Sequence, residues 1–238
     1  MSAKQLVDKG LKQTRQRRAT SGMAVQTVKR RELRGRGESM RQMIVEVGRR
    51  LMSEHGLGGT ALADIQAATG LSKGAFYHHF RSKEDVALAV VAAAAEEYEK
   101  HCLEPVSRLE GPGARVAGLL ERIIALNEQP TWRNCRLLAT LMGELSGHEG
   151  RLGEAVLELR RRLVEGLASA IAAAQQAHQC EPVINATVAA EWILCTVCGW
   201  SLARKAGATD MGLRQIVGAL RRVLLKPGTE VSVTVSAG

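Results

Sequence analysis

The sequence is notable first for what it lacks. No run of its 238 residues is both long and uncharged enough to suggest a bilayer span, so no membrane partner is expected. The N-terminus is basic but has no apolar core behind it, which argues against a secretory signal. The five cysteines are odd in number and lack a framework spacing, which points to free thiols in a reducing cytoplasm. No Ser/His/Asp set, phosphate loop or carboxylate pair stands in a suitable context, so a helical enzyme ranks last among the functions and no cofactor is expected. Strand-like alternation is missing except for a short run at Val231–Val235, and there is no internal repeat.

Charge is also missing from most of the chain. The formal net charge is +9. Residues 1–37 hold eleven Lys or Arg against two acids, Asp8 and Glu32, which accounts for the whole excess. The remaining 22 basic and 22 acidic residues cancel. A neutral body with a basic tail differs from a generally polyanion-binding surface. It suggests either an arm that meets DNA phosphates or the minor groove, or a solubilising leader.

What is present is helical. Apolar residues make up 45% of the chain, enough for a globular core in one or two domains. Met40, Met43, Ile44, Val47, Leu51 and Met52 recur at three-to-four spacing and predict a helix from about Ser39 to His55. From Thr60 to Lys83 two short helices meet at a glycine turn. Thr60 is a candidate N-cap, and Leu62, Ile65 and Ala68 share a face. Gly70 ends the first helix and Ser72 caps the second, where Phe76 and Phe80 face inward. Ser82 with Glu84 and Asp85 opens a fourth helix reaching Lys100 or Cys102, with breaks at Pro105 and at Gly111-Pro112-Gly113. Further helical patterns cover 113–129, 133–146, 150–179, 183–206 and 210–225.

Two small helices with an apolar inner face and a basic outer face describe a helix-turn-helix. The run Gly70-Leu-Ser-Lys-Gly-Ala-Phe-Tyr-His-His-Phe-Arg-Ser-Lys83 resembles the TetR family of bacterial transcriptional regulators. The resemblance implies an all-α protein, with an N-terminal three-helix helix-turn-helix domain followed by a helical-bundle regulatory and dimerisation domain. The divisions expected are a basic arm at 1–37, a DNA-binding domain at 38–98 with its motif at 61–80, an effector and dimer domain at 99–226, and a tail at 227–238. The fourth helix would be the lever between the two domains. The last two helices, rich in small and apolar residues, would form a four-helix dimer interface.

Candidate DNA contacts follow from the second motif helix. Lys73 is placed for guanine acceptors or a phosphate, while Gly74 and Ala75 allow close approach. The resemblance assigns Tyr77, His79 and Lys83 to phosphates. His78 is either a base or phosphate contact or merely exposed, and Thr60 either caps or touches the DNA backbone. Adjacent histidines point about 100° apart with no third ligand near, so no metal is expected.

Asn134-Cys135-Arg136 through Glu144-Leu-Ser146 resembles a branch of the family that includes sensors of electrophiles and oxidants. Cys135 lies near a helix N-terminus between Arg133 and Arg136, which would favour thiolate. Against that, a free cysteine usually packs as a small hydrophobe. Trp132, Glu144, Trp192 and Cys195 are the other candidate effector residues, with Met142 and Trp200 as core or pocket lining and Asn185 and Glu191 as polar members. Cys195-x-x-Cys198 sits inside a helix and reads as packing rather than as a metal or redox pair. The expected function is an effector-released repressor, a homodimer on a palindromic double-stranded DNA operator, answering a small molecule or a reactive electrophile. An architectural DNA-binding protein without an effector is the alternative, with weak sequence preference and steep salt dependence.

Overall fold

The computed structural model describes residues 37–129, 131–145, 150–182, 184–207 and 212–227. The basic arm and the Val231–Val235 run lie outside them. The chain divides into Met1–Ile44 and Val45–Gly238. The described residues of the first unit, 37–44, are helical. Among the described residues every regular element is a helix, apart from one isolated antiparallel bridge between Cys180 and Leu225.

The first helix, α1, covers residues 37–55. Ile44 and Met52 are fully buried as its periodicity requires, whereas Met43, expected on the same face, is 42% exposed. Gly48 sits where α1 meets a later helix: a Cβ there would lie 2.8 Å from Val86 Cγ1.

α2 (Leu62–Thr69) and α3 (Lys73–His79) form the turn-linked pair. Gly70 closes α2 in the left-handed region at φ 67°, its N–H donating to Ala67 O at 3.2 Å. Ser72 Oγ accepts from Ala75 N at 3.3 Å and starts α3. Ile65, Phe76 and Phe80 are buried. Each contributes roughly 1.5–3 kcal/mol relative to exposure. Two expectations fail here. Ala68 is exposed, because its small methyl is not needed to complete the inner face. The N-cap of α2 is Ala61, not Thr60. Asp64 Oδ2 accepts from Ala61 N at 3.0 Å, so the cap is supplied from inside the helix.

α4 (Lys83–Tyr98) begins with Ser82 as its cap, as expected, and with a reciprocal box that was not: Asp85 N donates to Ser82 Oγ at 3.0 Å and Ser82 N to Asp85 Oδ2 at 3.1 Å. The expected break at Pro105 does not occur. α4 runs into a π-helical turn (Glu99–Leu103) and then α5 (Glu104–Ser107). Proline has no N–H and its ring clashes with the carbonyl four residues back, here that of His101. The wide turn, with Glu104 N bonded to Glu99 O, moves that carbonyl aside. His101 O then accepts from Arg122 Nε at 2.8 Å, so it is not orphaned.

The rest is a helical bundle: α6 (Pro112–Glu128), α7 (Asn134–Glu144), α8 (Arg151–Gln176), α9 (Ala186–Lys205) and α10 (Leu213–Leu224). α8 packs on α4, α6 and α9, and α7 and α10 pack on α9. α8 stops three residues short of the expected end. His178 adopts φ 58°, and the N–H groups of Gln179 and Cys180 both turn back to Ala174 O. By length and composition α9 is apolar enough to cross a membrane, contrary to the expectation that no such run exists. Ala189, Ala190, Ile193, Leu194 and Val197 are buried against its neighbours, while Val188, Trp192 and Leu202 on its other side are exposed.

Candidate DNA-binding face, latch and effector pocket

α3 separates its residues cleanly. Phe76 and Phe80 anchor it, and Lys73, Gly74, Tyr77 and His78 stand exposed on the other side with Ala75 and His79 half-exposed. A Cβ on Gly74 would meet nothing within 4 Å, so this end of the helix is unobstructed. The His78 and His79 rings lie edge-to-face at 5.2 Å, and among the described residues no group of three candidate ligands could hold a metal. Lys83 Nζ donates to Leu57 O at 2.8 Å, fixing the glycine-rich loop while keeping two further N–H donors. Thr60 departs from its expected role. It is 1% exposed and its hydroxyl donates to Gly56 O at 2.7 Å, so it holds the loop from inside and has no surface to offer DNA.

α7 grips the segment formed by α1 and the loop after it at three points. Arg49 of α1, 8% exposed, pairs with Glu46 and Glu97, and its Nη1 donates to Asn134 Oδ1 at 3.1 Å. Asn134 Nδ2 donates in turn to Glu97 Oε2 at 3.0 Å. Arg133 approaches Glu54 at 3.5 Å. At the far end of α7, Glu144 Oε2 accepts from Gly58 N at 2.9 Å. Glu144 is therefore not a pocket residue: it is exposed and docks on the α1–α2 loop. Gly56, at φ 81°, makes room for it, since a Cβ there would fall 1.8 Å from Glu144 Oε1. The sequence gives no warning of Arg49, Glu97 or Asn134, because the partners are 37 to 85 positions apart.

An apolar cavity of about 40 Å³ lies among α4, α6, α7, α8 and α9. Of the candidate effector residues, Trp132 and Cys135 line it, with Tyr98, Cys102, Leu138 and Ile193. Trp192 and Cys195 do not: both are on the outer face of α9, Trp192 being 43% exposed. Asn185 caps α9 and Glu191 pairs with Arg160, so neither faces the cavity. The Tyr98 hydroxyl is buried without a partner, and burial pushes its pKa up.

Cys135 has a different neighbourhood from the one its sequence suggests. Its thiol pKa is held below the usual value by hydrogen bonds from Cys198, the larger effect, and Asn127, against burial. The flanking arginines are not the cause. Cys198 gives up its own acidity to that bond. Cys102, nearby, is pushed up to about 12, by burial first and then by Cys135. Cys198 thus turns its thiol to Cys135, while Cys195 is exposed on α9.

Residues 44–90 match the family described as bacterial regulatory proteins, tetR family. The repressor AcnR of Corynebacterium glutamicum is 41% identical over 78 residues, 30% of this chain and 42% of its own length. The match thus spans less than half of that relative. A TetR transcriptional regulator from Chloroflexus aurantiacus superposes with a TM-score of 0.68 at 24% identity, covering 80% of this chain and 99% of its own. AibR, crystallised with isovaleryl coenzyme A and operator DNA, superposes at 0.62 with 21% identity over 78% and 98% of the two chains.

Proposed function

As a chain carrying the DNA-binding segment of the tetR family, this protein is, we propose, a sequence-specific transcriptional regulator that binds operator DNA as a homodimer and is released by an effector. The observation that carries this is α3. Phe76 and Phe80 pin it, and Lys73, Gly74, Ala75, Tyr77 and His78 face outward, as a major-groove reader requires. Lys73 is assigned to base or phosphate acceptors and Tyr77, His79 and Lys83 to phosphates. AibR, of the same fold, was crystallised with a small molecule and DNA together, which supports ligand control.

Dimerisation rests on an unpartnered apolar stripe. Val188, Trp192, Cys195, Gly199 and Leu202 recur along α9, and Val223 is exposed on α10; Val188, Trp192, Leu202 and Val223 are 40–59% exposed. A second copy would cover this face, and a two-fold reader needs two copies to reach two half-sites. Signal passage would use α7 as well as α4. The helix that walls the pocket with Cys135 and Leu138 also holds Arg49 and Gly58, so a shift of α7 would move the platform of the recognition helix. A hundredfold release needs about 2.7 kcal/mol of differential binding.

A second trigger is Cys135, whose hydrogen bonds favour thiolate in a pocket wall. Alkylation there would fill the cavity. Release by an electrophile that is unchanged in Cys135→Ser would rule this route out.

The test of the main reading is competition. A duplex from the chain's own upstream region should bind at least about 10³-fold tighter than random DNA at equal salt. Equal binding would instead favour the architectural alternative.

A further inference from the structure

A second cavity of about 190 Å³ adjoins the apolar one, and Asn127 and Trp132 line both. Its remaining walls include Arg136, Arg204, Lys205 and Ser201. Arg136 comes from the start of α7, and Arg204 and Lys205 from the end of α9. The site therefore gathers cations from two helices into one recess.

Among the described residues no carboxylate lines this recess. Arg136 Nε is buried with no hydrogen-bond partner, although a guanidinium carries five N–H donors. Burial, then the charges of Arg133 and Arg204, hold the Arg136 pKa below its ordinary value. Glu54 alone opposes them, and Glu54 is itself within 3.5 Å of Arg133. Arg204 stacks over the Trp200 ring at 5.3 Å, which fixes its direction without neutralising it. Arg136 is half-buried at the back of the recess while Arg204 and Lys205 are exposed at its mouth, and like charges gathered this closely are relieved by an anion that joins them.

We infer that the two cavities form one composite site for an amphipathic organic anion, a carboxylate or phosphate ester. Its head lies among Arg136, Arg204 and Lys205, and a short apolar group passes Trp132 toward Tyr98 and Leu138. The inference rests on the regulator reading and names the class of its effector. The apolar part is short, since about 40 Å³ is only about three times the space one water needs. The polar part is the larger, matching the roomier basic cavity. The unpartnered Tyr98 hydroxyl supplies one donor at the apolar end. An anion seated on Arg136 pulls on α7 two residues from Asn134, which holds Arg49.

The experiment is calorimetric titration of the full chain with hexanoate, hexyl phosphate, 1-hexanol and inorganic phosphate. The same preparations are checked for specific operator binding. At least one of the two amphipathic anions should bind, and at least tenfold tighter than either 1-hexanol or inorganic phosphate; which one binds tells the carboxylate from the phosphate ester. Arg136→Gln should weaken the anion at least tenfold and leave 1-hexanol unchanged. Arg204→Gln is the second variant, and an unaltered melting temperature shows that each variant is folded. Anion binding no tighter than that of the alcohol, no anion binding at all, or full anion affinity in both folded variants overturns the proposal. If operator binding persists in those cases, the regulator reading stands without this effector class. Loss of operator specificity in the parent fails the regulator reading instead.

Discussion

Asn134→Ala should loosen the grip of α7 on α1. The side chain gives one hydrogen bond to Glu97 at 3.0 Å and accepts one from Arg49 at 3.1 Å. Both partners are ionised and Arg49 is nearly buried, so each bond is worth about 1.5–3 kcal/mol. Arg49 and Glu97 stay paired to each other after the change, and Glu97 is partly solvated, which favours the lower end. The expected loss is roughly 2–4 kcal/mol, or about 4–16 °C in melting temperature for a chain of this size. A double-mutant cycle with Arg49→Met isolates the direct contact, and thermal unfolding of the four proteins should give a coupling of about 1–2 kcal/mol. A coupling under about 0.3 kcal/mol would mean that α7 does not hold α1 through this pair. The route from pocket to DNA face would then have to use α4 or the other two α7 contacts, Arg133 with Glu54 and Glu144 with Gly58.

Other consequences can be measured directly. Gly56→Ala forces φ 81° on a residue with a Cβ and drives that atom against Glu144 Oε1, so it should cost more than the roughly 1–2 kcal/mol of a left-handed alanine. Adding Glu144→Ala should recover the steric part only, as read by chemical denaturation. Ser72→Ala removes the cap of α3 and should cost about 1 kcal/mol of stability while reducing operator affinity. Lys73→Ala should weaken operator binding; a fall of about 1 in the salt slope would mark a phosphate contact, and relaxed sequence preference with an unchanged slope a base contact. For the two pocket thiols, Cys135 lies below and Cys102 well above the ordinary value, so near pH 8 iodoacetamide should modify Cys135 before Cys102, which stays protonated until the pH approaches about 12. Cys198→Ala removes the main bond favouring the Cys135 thiolate and should slow its alkylation.

The helix-turn-helix was legible because its signals are local. Gly70, Ser72 and Ser82 each act within three residues of themselves, and the structure uses all three in the expected way, while Asp85 adds a bond back to Ser82 N. Residues whose partners are distant were misread. Thr60 has the chemistry of a cap, but the chain turns it inward to Gly56 O. Glu144 looked like a polar pocket member, and its partner turned out to be Gly58, 86 positions earlier. Trp192 and Cys195 share α9 with truly buried residues, and periodicity alone does not say which stripe faces in when both stripes are apolar. The Arg136–Arg204 recess was invisible for the same reason: it exists only where α7 and α9 converge.

The wide turn at Glu99–Leu103 has a geometric consequence for the rod it interrupts. Each residue of an α-helix advances the side-chain direction by about 100°, so one extra residue in a turn rotates everything downstream by about that angle. Upstream of it, Val86 and Val90 lie against Gly48 of α1; downstream, Val106 lies against Gly118 of α6. A straight helix of the same sequence would aim one of these sets into solvent. The π turn acts as a phase shifter: it lets one continuous rod lay its apolar edge on two neighbours that lie in different directions. Deleting a single residue between Glu99 and Leu103 would therefore disturb the bundle more than many substitutions within it.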